Sequence, residues 1–249
     1  MKNYNMKIIS WQKKYVRFIR ISIAVACLLV ITLSSHATNY YVNPSSDSAK
    51  ETGSFATPWK NFDGVNVSMK VFKPGDTIFL KRGELYYGKL HITCSGTKDA
   101  PIVFTNYGNA AALPVILYNS KTSNGNGYNA IYLYHCHDVQ INGLEITDDR
   151  MDPVSHEQQA NISVAINIDS SEFIHIKKMN ISLVGIGVNI VGNNNWIDSC
   201  KIHNLRMVKN TVDGDDDYGA NPIVLAGAQN TIAYCFFKDC WAKSYDYRF

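Results

Sequence analysis

The second half of the chain repeats one apolar pattern. Val139-x-Ile141-x-x-Leu144-x-Ile146 recurs as Ile174-x-Ile176-x-x-Met179-x-Ile181, then as Ile197-x-x-Cys200-x-Ile202 and Ile232-x-x-Cys235-x-Phe237. The anchors Ile141, Ile176, Ile197 and Ile232 are spaced by 35, 21 and 35 residues. A second apolar pair precedes each anchor: Ile131 with Leu133, Ile166 with Ile168, Val188 with Ile190, and Ile223 with Leu225. Each unit offers short alternating strands rich in Ile, Val and Leu, separated by Asn, Gly, Asp and Ser, with no helical period.

This pattern is one coil of a β-solenoid. A period near 21 is too short for a propeller blade, and the leucine-rich pattern and its helix are absent. One coil cannot bury its apolar face alone, so stability comes from stacking on neighbours at about 4.8 Å per coil. The 35-residue units are 21-residue coils with extra residues at one corner, Asp148 to Ala160 in one and Arg206 to Ala220 in the other. The fold expected is all-β, a single-stranded parallel β-helix.

Residues 38–127 are less regular and are assigned to an N-terminal cap and first coils, with the regular coils at 128–249. Pro58 to Lys70 reads as a short capping helix, followed by a Pro74-Gly75 turn and a strand from Thr77 to Leu80. Leu90-x-Ile92 and Ile102-x-Phe104 continue the strand pattern. No polar closing turn or helix follows the last coil, so a C-terminally truncated chain is the expectation, with end-to-end association of the open coil as its consequence.

Composition changes one part of this picture. The chain is 46% hydrophobic and 18% charged, which belongs to a globular protein. Its net charge of +3 is set by the start: Lys2, Lys7, Lys13, Lys14, Arg17 and Arg20, with no acidic residue, precede position 37. The apolar run Ile21 to Leu33 and the small residues Ser35 and Ala37 complete a signal peptide cut after Ala37, residues 1–37; an uncleaved anchor is the alternative. A secreted, periplasmic or cell-surface location follows. The remainder carries 18 basic and 21 acidic residues, a net −3 with no basic cluster, which argues against nucleic acid as a partner. Five cysteines remain at irregular spacing, Cys94, Cys136, Cys200, Cys235 and Cys240, and they form no disulfide framework.

Tyr40-Tyr41-Val42-Asn43, the stretch from Gly53-Ser54 to Thr57-Pro58-Trp59, Pro74-Gly75-Asp76-Thr77-Ile78 and Ser95-Gly96-Thr97 with Pro101-Ile102 resemble, in order and spacing, the opening of secreted right-handed parallel β-helix proteins of polysaccharide-degrading bacteria. The resemblance is to the pectate-lyase-like kind. It implies the right-handed pectin-lyase fold, an extracytoplasmic location and acidic polysaccharide as substrate, with activity left open among lyases, hydrolases, epimerases and non-enzymatic adhesins.

In folds of that kind the substrate groove runs along the first strand of each coil, flanked by the corner that carries the insertions. The alternates of the apolar pairs, Tyr132, Tyr134, Asn167, Asp169, Asn189 and Val224, would form its floor. Aromatic rings and amides suit sugar faces and hydroxyls. The second insertion holds Asp213, Asp215, Asp216 and Asp217 around Gly214, a donor set for calcium that departs from the EF-hand at Tyr218 and Val224. The first holds Asp148, Asp149, Arg150, Asp152, His156 and Glu157. A lyase needs a carboxylate clamp and a base, for which Arg206 and Lys209 are the local candidates. A glycan-binding surface protein and an inactive truncated copy are the alternative readings.

Overall fold

Alternation of inward and outward positions puts most of the Ile, Leu and Val side chains of the strands on one side, and the chain closes around that side. The computed structural model describes residues 37–118, 129–148, 157–158, 163–208 and 219–241. Strand β1 (Asn39–Val42) leads through helix α1 (Phe62–Ser68) into the first coil, β2 (Thr77–Lys81), β3 (Leu85–Tyr87) and β4 (Leu90–Ile92). The second coil is β5 (Ile102–Tyr107), β6 (Val115–Tyr118) and β7 (Asn129–Tyr134). The third runs β8 (His137–Asn142), β9 (Glu145–Asp148), the short β10 (Glu157–Gln158) and β11 (Val164–Asp169). The fourth is β12 (Glu172–Lys177), β13 (Asn180–Ser182) and β14 (Ile186–Val191). The fifth is β15 (Trp196–Asp198), β16 (Lys201–His203), the short β17 (Met207–Val208) and β18 (Asn221–Ala226), and β19 (Thr231–Ala233) and β20 (Phe236–Lys238) begin a sixth.

Equivalent strands of successive coils pair in parallel, producing three long sheets. Sheet I is β1-β2-β5-β8-β12-β15-β19, sheet II is β3-β6-β9-β13-β16-β20 and sheet III is β4-β7-β11-β14-β18. This is a right-handed parallel β-helix. The anchors fall in register as the repeat requires, Ile141 beside Ile176, Ile176 beside Ile197, and Ile197 beside Ile232. The first three are fully buried, whereas Ile232 is 41% exposed because β19 has a paired neighbour on one side only among the described strands. Cys200 is buried and Cys235 half-buried, and both are free thiols.

The capping helix is shorter than the span from Pro58 to Lys70. Asn61 is its N-cap, its side chain accepting from Asp63 N, and a 3-10 turn at Met69–Val71 ends it before the Pro74-Gly75 turn. Its buried residues Phe62 and Val65, with Met69 of the 3-10 turn, belong to the same core as the coils, and Phe62 stacks on Tyr86 at 5.6 Å.

The extra residues gather where sheet II passes to sheet III. Three connections are long there: residues 119–128 after β6, those between β9 and β11, and those between β16 and β18. The first of these was not distinguished in the sequence because its coil lacks the repeat's spacing. At the same corner the fourth coil turns directly from β13 into β14.

Candidate functional site

Sheet III presents an outward face beside that corner. Burial of Leu90, Ile92, Ile131, Leu133, Ile166, Ile168, Val188 and Ile190 forces their alternates outward. The register stacks His91, Tyr132, Asn167, Asn189 and Val224 in one outward column and Tyr134, Asp169, Val191 and Ala226 in the next. All the groove residues expected from the sequence thus share one face.

Their contacts form two groups. The His91 ring stacks on Tyr132 at 5.1 Å, Tyr132 on Tyr134 at 5.6 Å, and His135 meets the edge of Tyr134 at 4.1 Å. Lys89 Nζ stands 4.5 Å from the centre of the Tyr132 ring. The Tyr132 hydroxyl donates to Asp169 Oδ2 at 2.8 Å, and Ser170 Oγ donates to Asp169 Oδ1 at 2.9 Å. Farther along the face, Asn189 Nδ2 donates to Asn167 Oδ1 at 2.9 Å.

The capping helix sets the near end of this face. Asn66 Nδ2 donates to Lys89 O at 2.8 Å, and its Oδ1 accepts from His91 N at 2.9 Å, so one side chain holds the backbone on both sides of Leu90. Burial lowers the pKa of Lys89 and, with the nearby Lys89 charge, that of His91. Burial and then the Asp169 carboxylate push the Tyr132 hydroxyl up to about 12. Among the described residues no carboxylate lies within ion-pair distance of Lys89. The result is a row of aromatic faces with a cation at one end, a hydrogen-bonded carboxylate in the middle and paired amides beyond. Lys89 and His91 were missed in the sequence; the strand signal Leu90-x-Ile92 already implied that His91 faces outward.

At the insertion corner, β10 pairs in parallel with β17, Glu157 beside Met207 and Gln158 beside Val208. The two insertions therefore join directly across the short corner of the fourth coil. Arg206 is buried there, its Nη1 donating to Leu205 O at 3.2 Å, and Asp148 at the end of β9 is fully buried. Lys209, Asp213, Asp215, Asp216 and Asp217 lie outside the described residues, as do Asp149, Arg150, Asp152 and His156. Among the described residues no group of three His, Cys, Asp or Glu side chains is placed to hold a metal ion.

Two further polar features adjoin these. On sheet II, Glu145, Asn180 and Lys201 share an outward column, and His203 Nε2 lies 3.1 Å from Asn180 Oδ1. Where sheet III passes to sheet I, a cavity of about 290 Å³ is lined by His135, His137, Ser170, Ser171, Glu172 and Asn193.

No family model matches the chain, and no curated protein matches it. Solved structures do. A rhamnogalacturonan lyase matches with a TM-score of 0.58 and 14% identity over 80% of this chain and 51% of its own. The GH136 lacto-N-biosidase from Eubacterium ramulus matches with a TM-score of 0.55 and 19% identity over 91% of this chain and 46% of its own. The chain spans about half the length of these structures. At such identities the likeness is one of fold.

Proposed function

We propose that this protein is a secreted, carbohydrate-active β-helix that binds a polysaccharide across the outer face of sheet III. The observation that carries the reading is the row His91, Tyr132 and Tyr134 continued by Asp169, Asn167 and Asn189 on one face. Aromatic faces pack against the C–H surface of a sugar ring, and amides and a carboxylate pair with its hydroxyls. The two solved structures named above carry the names of enzymes that act on glycans, which supports the class.

The finer reading is a lyase-like activity on an acidic polysaccharide. Lys89 stands at the end of the row with no carboxylate partner among the described residues, so a uronate carboxylate is a natural counterion. The Asp213, Asp215, Asp216 and Asp217 set is proposed to hold calcium, which would offset charge on such a substrate; Arg206 and Lys209 are proposed as clamp and base. A protein that binds without cleaving remains the second reading, favoured by the hydrogen bond that ties Tyr132 to Asp169.

Polygalacturonate binding to the mature chain tests the face. Tyr132→Ala and Tyr134→Ala should each weaken it about tenfold, the cost of removing one central aromatic contact. Unchanged affinity in both would reject sheet III as the binding face. Ultraviolet absorbance of unsaturated uronate during incubation separates a lyase from a binder. Calorimetry should show calcium binding that Asp215→Ala and Asp217→Ala abolish, and polygalacturonate binding that is equal in chelator and in calcium would reject the metal bridge.

A further inference from the structure

We infer that Asp76 is the receptor for a primary ammonium created at Thr38 when the leader is removed. The inference rests on the export reading for the cleavage and on local geometry for the rest. Asp76 lies in the turn that enters β2 and is only 2% exposed. Its Oδ1 accepts from Thr38 N at 2.7 Å and its Oδ2 accepts from Lys73 N at 2.8 Å. Among the described residues no Lys, Arg or His side chain lies within ion-pair distance of it. Among the described residues both side-chain bonds to Asp76 come from backbone amides, so no full positive charge faces it there.

Hydrolysis between Ala37 and Thr38 adds one water across the peptide bond. Ala37 leaves with a carboxylate, and the Thr38 nitrogen, already at 2.7 Å from Asp76, becomes an ammonium. Apart from the peptide bond itself, no hydrogen bond at Thr38 has to break. Thr38 O still accepts from Thr77 N at 3.0 Å, and Thr38 is exposed, so the remaining ammonium protons meet water. Asp76 also acts on Tyr40: burial raises that hydroxyl's pKa, the Asp76 charge raises it further, and a bond to the Thr38 side chain opposes both. The charge-assisted bond falls at Thr38, immediately before β1, which pairs with β2 on one side and bonds to Gly53 and Trp59 on the other. Cleavage thus strengthens a contact that the uncleaved chain makes through a neutral amide.

Sequencing the N-terminus of the exported full-length product comes first, and Thr38 is the residue expected. The leader retained, or a cut elsewhere, overturns the inference through the export reading. The chain beginning at Thr38 is then compared with its N-acetylated form, each with Asp76 and with Asp76→Asn. Acetylation should raise the unfolding equilibrium constant about tenfold in the Asp76 chain and leave the Asp76→Asn chain unchanged. An equal effect in both, or in neither, overturns the ammonium receptor while leaving export intact. Should Asp76→Asn fail to fold, nitrogen NMR of the unaltered mature chain decides. With Tyr40, Lys73 and Asp76 as the titratable neighbours, the Thr38 amine should titrate above the ordinary range of about 7.7 to 8.0, and a value within or below it overturns the inference.

Discussion

Single positions in this fold are judged by what lies directly above and below them in the neighbouring coils. Ile176 is fully buried between Ile141 and Ile197, so shortening it leaves a cavity that two stacked coils cannot close. Ile176→Ala should cost about 2–5 kcal/mol, read as a lower denaturation midpoint with an unchanged slope. Gly64 is constrained differently: an added Cβ would lie 2.4 Å from Cδ1 of the buried Trp59 ring. Gly64→Ala should therefore destabilise by about 1–3 kcal/mol through overpacking, despite the better helix propensity of alanine. Histidines supply the pH dependence. Burial lowers the pKa values of His91, His175 and His203 from the ordinary 6.5. The folded state binds fewer protons than the unfolded one, so their contribution is fully present above pH 6.5 and is lost as pH falls through the lowered folded values. Thermal scans from neutral to mildly acidic pH should show a falling Tm, and His91→Phe should flatten part of that fall.

Elements differ in how many neighbours they have, and their stability should follow. Strands β8, β11 and β12 each pair on both sides, whereas β18, β19 and β20 pair on one side among the described strands. Hydrogen exchange should be slowest in the first set and fastest in the second. Helix α1 was legible as an element within the stretch from Pro58 to Lys70. Its ends were not, since the Asn61 cap and the 3-10 turn depend on local hydrogen bonds. Its role in the site was not legible either. Asn66 holds Lys89 O and His91 N through one amide, and Asn66→Ala should cost about 1–3 kcal/mol and also weaken polysaccharide binding. Loss of stability with binding intact would separate the helix from the site.

At the scale of the whole molecule, exposed apolar side chains gather on and beside β18, β19 and β20. Leu225, Ile232, Tyr234, Phe236 and Phe237 are each at least 41% exposed, beside strands with one unpaired edge among the described residues. The chain of residues 38–249 should self-associate with rising concentration by light scattering, and Phe236→Lys should reduce it. A monodisperse monomer at high concentration would contradict this.

The repeat, the parallel coils and the outward face of sheet III were readable from the sequence, because in a strand each residue's side is set by its parity relative to its neighbours, and burial follows from that alone. Ile131, Ile166 and Val188 thereby placed Tyr132, Asn167 and Asn189 correctly. What only the tertiary structure decided is which of these side chains meet. Tyr132 and Asp169 are 37 residues apart and bond only because a connection of particular length brings β7 and β11 into register. His91 and Lys89 join them through a coil whose spacing breaks the repeat, and β10 reaches β17 over a coil that lacks the insertion. Local alternation carries no information about connections of varying length, so register between coils is settled by packing of the whole stack.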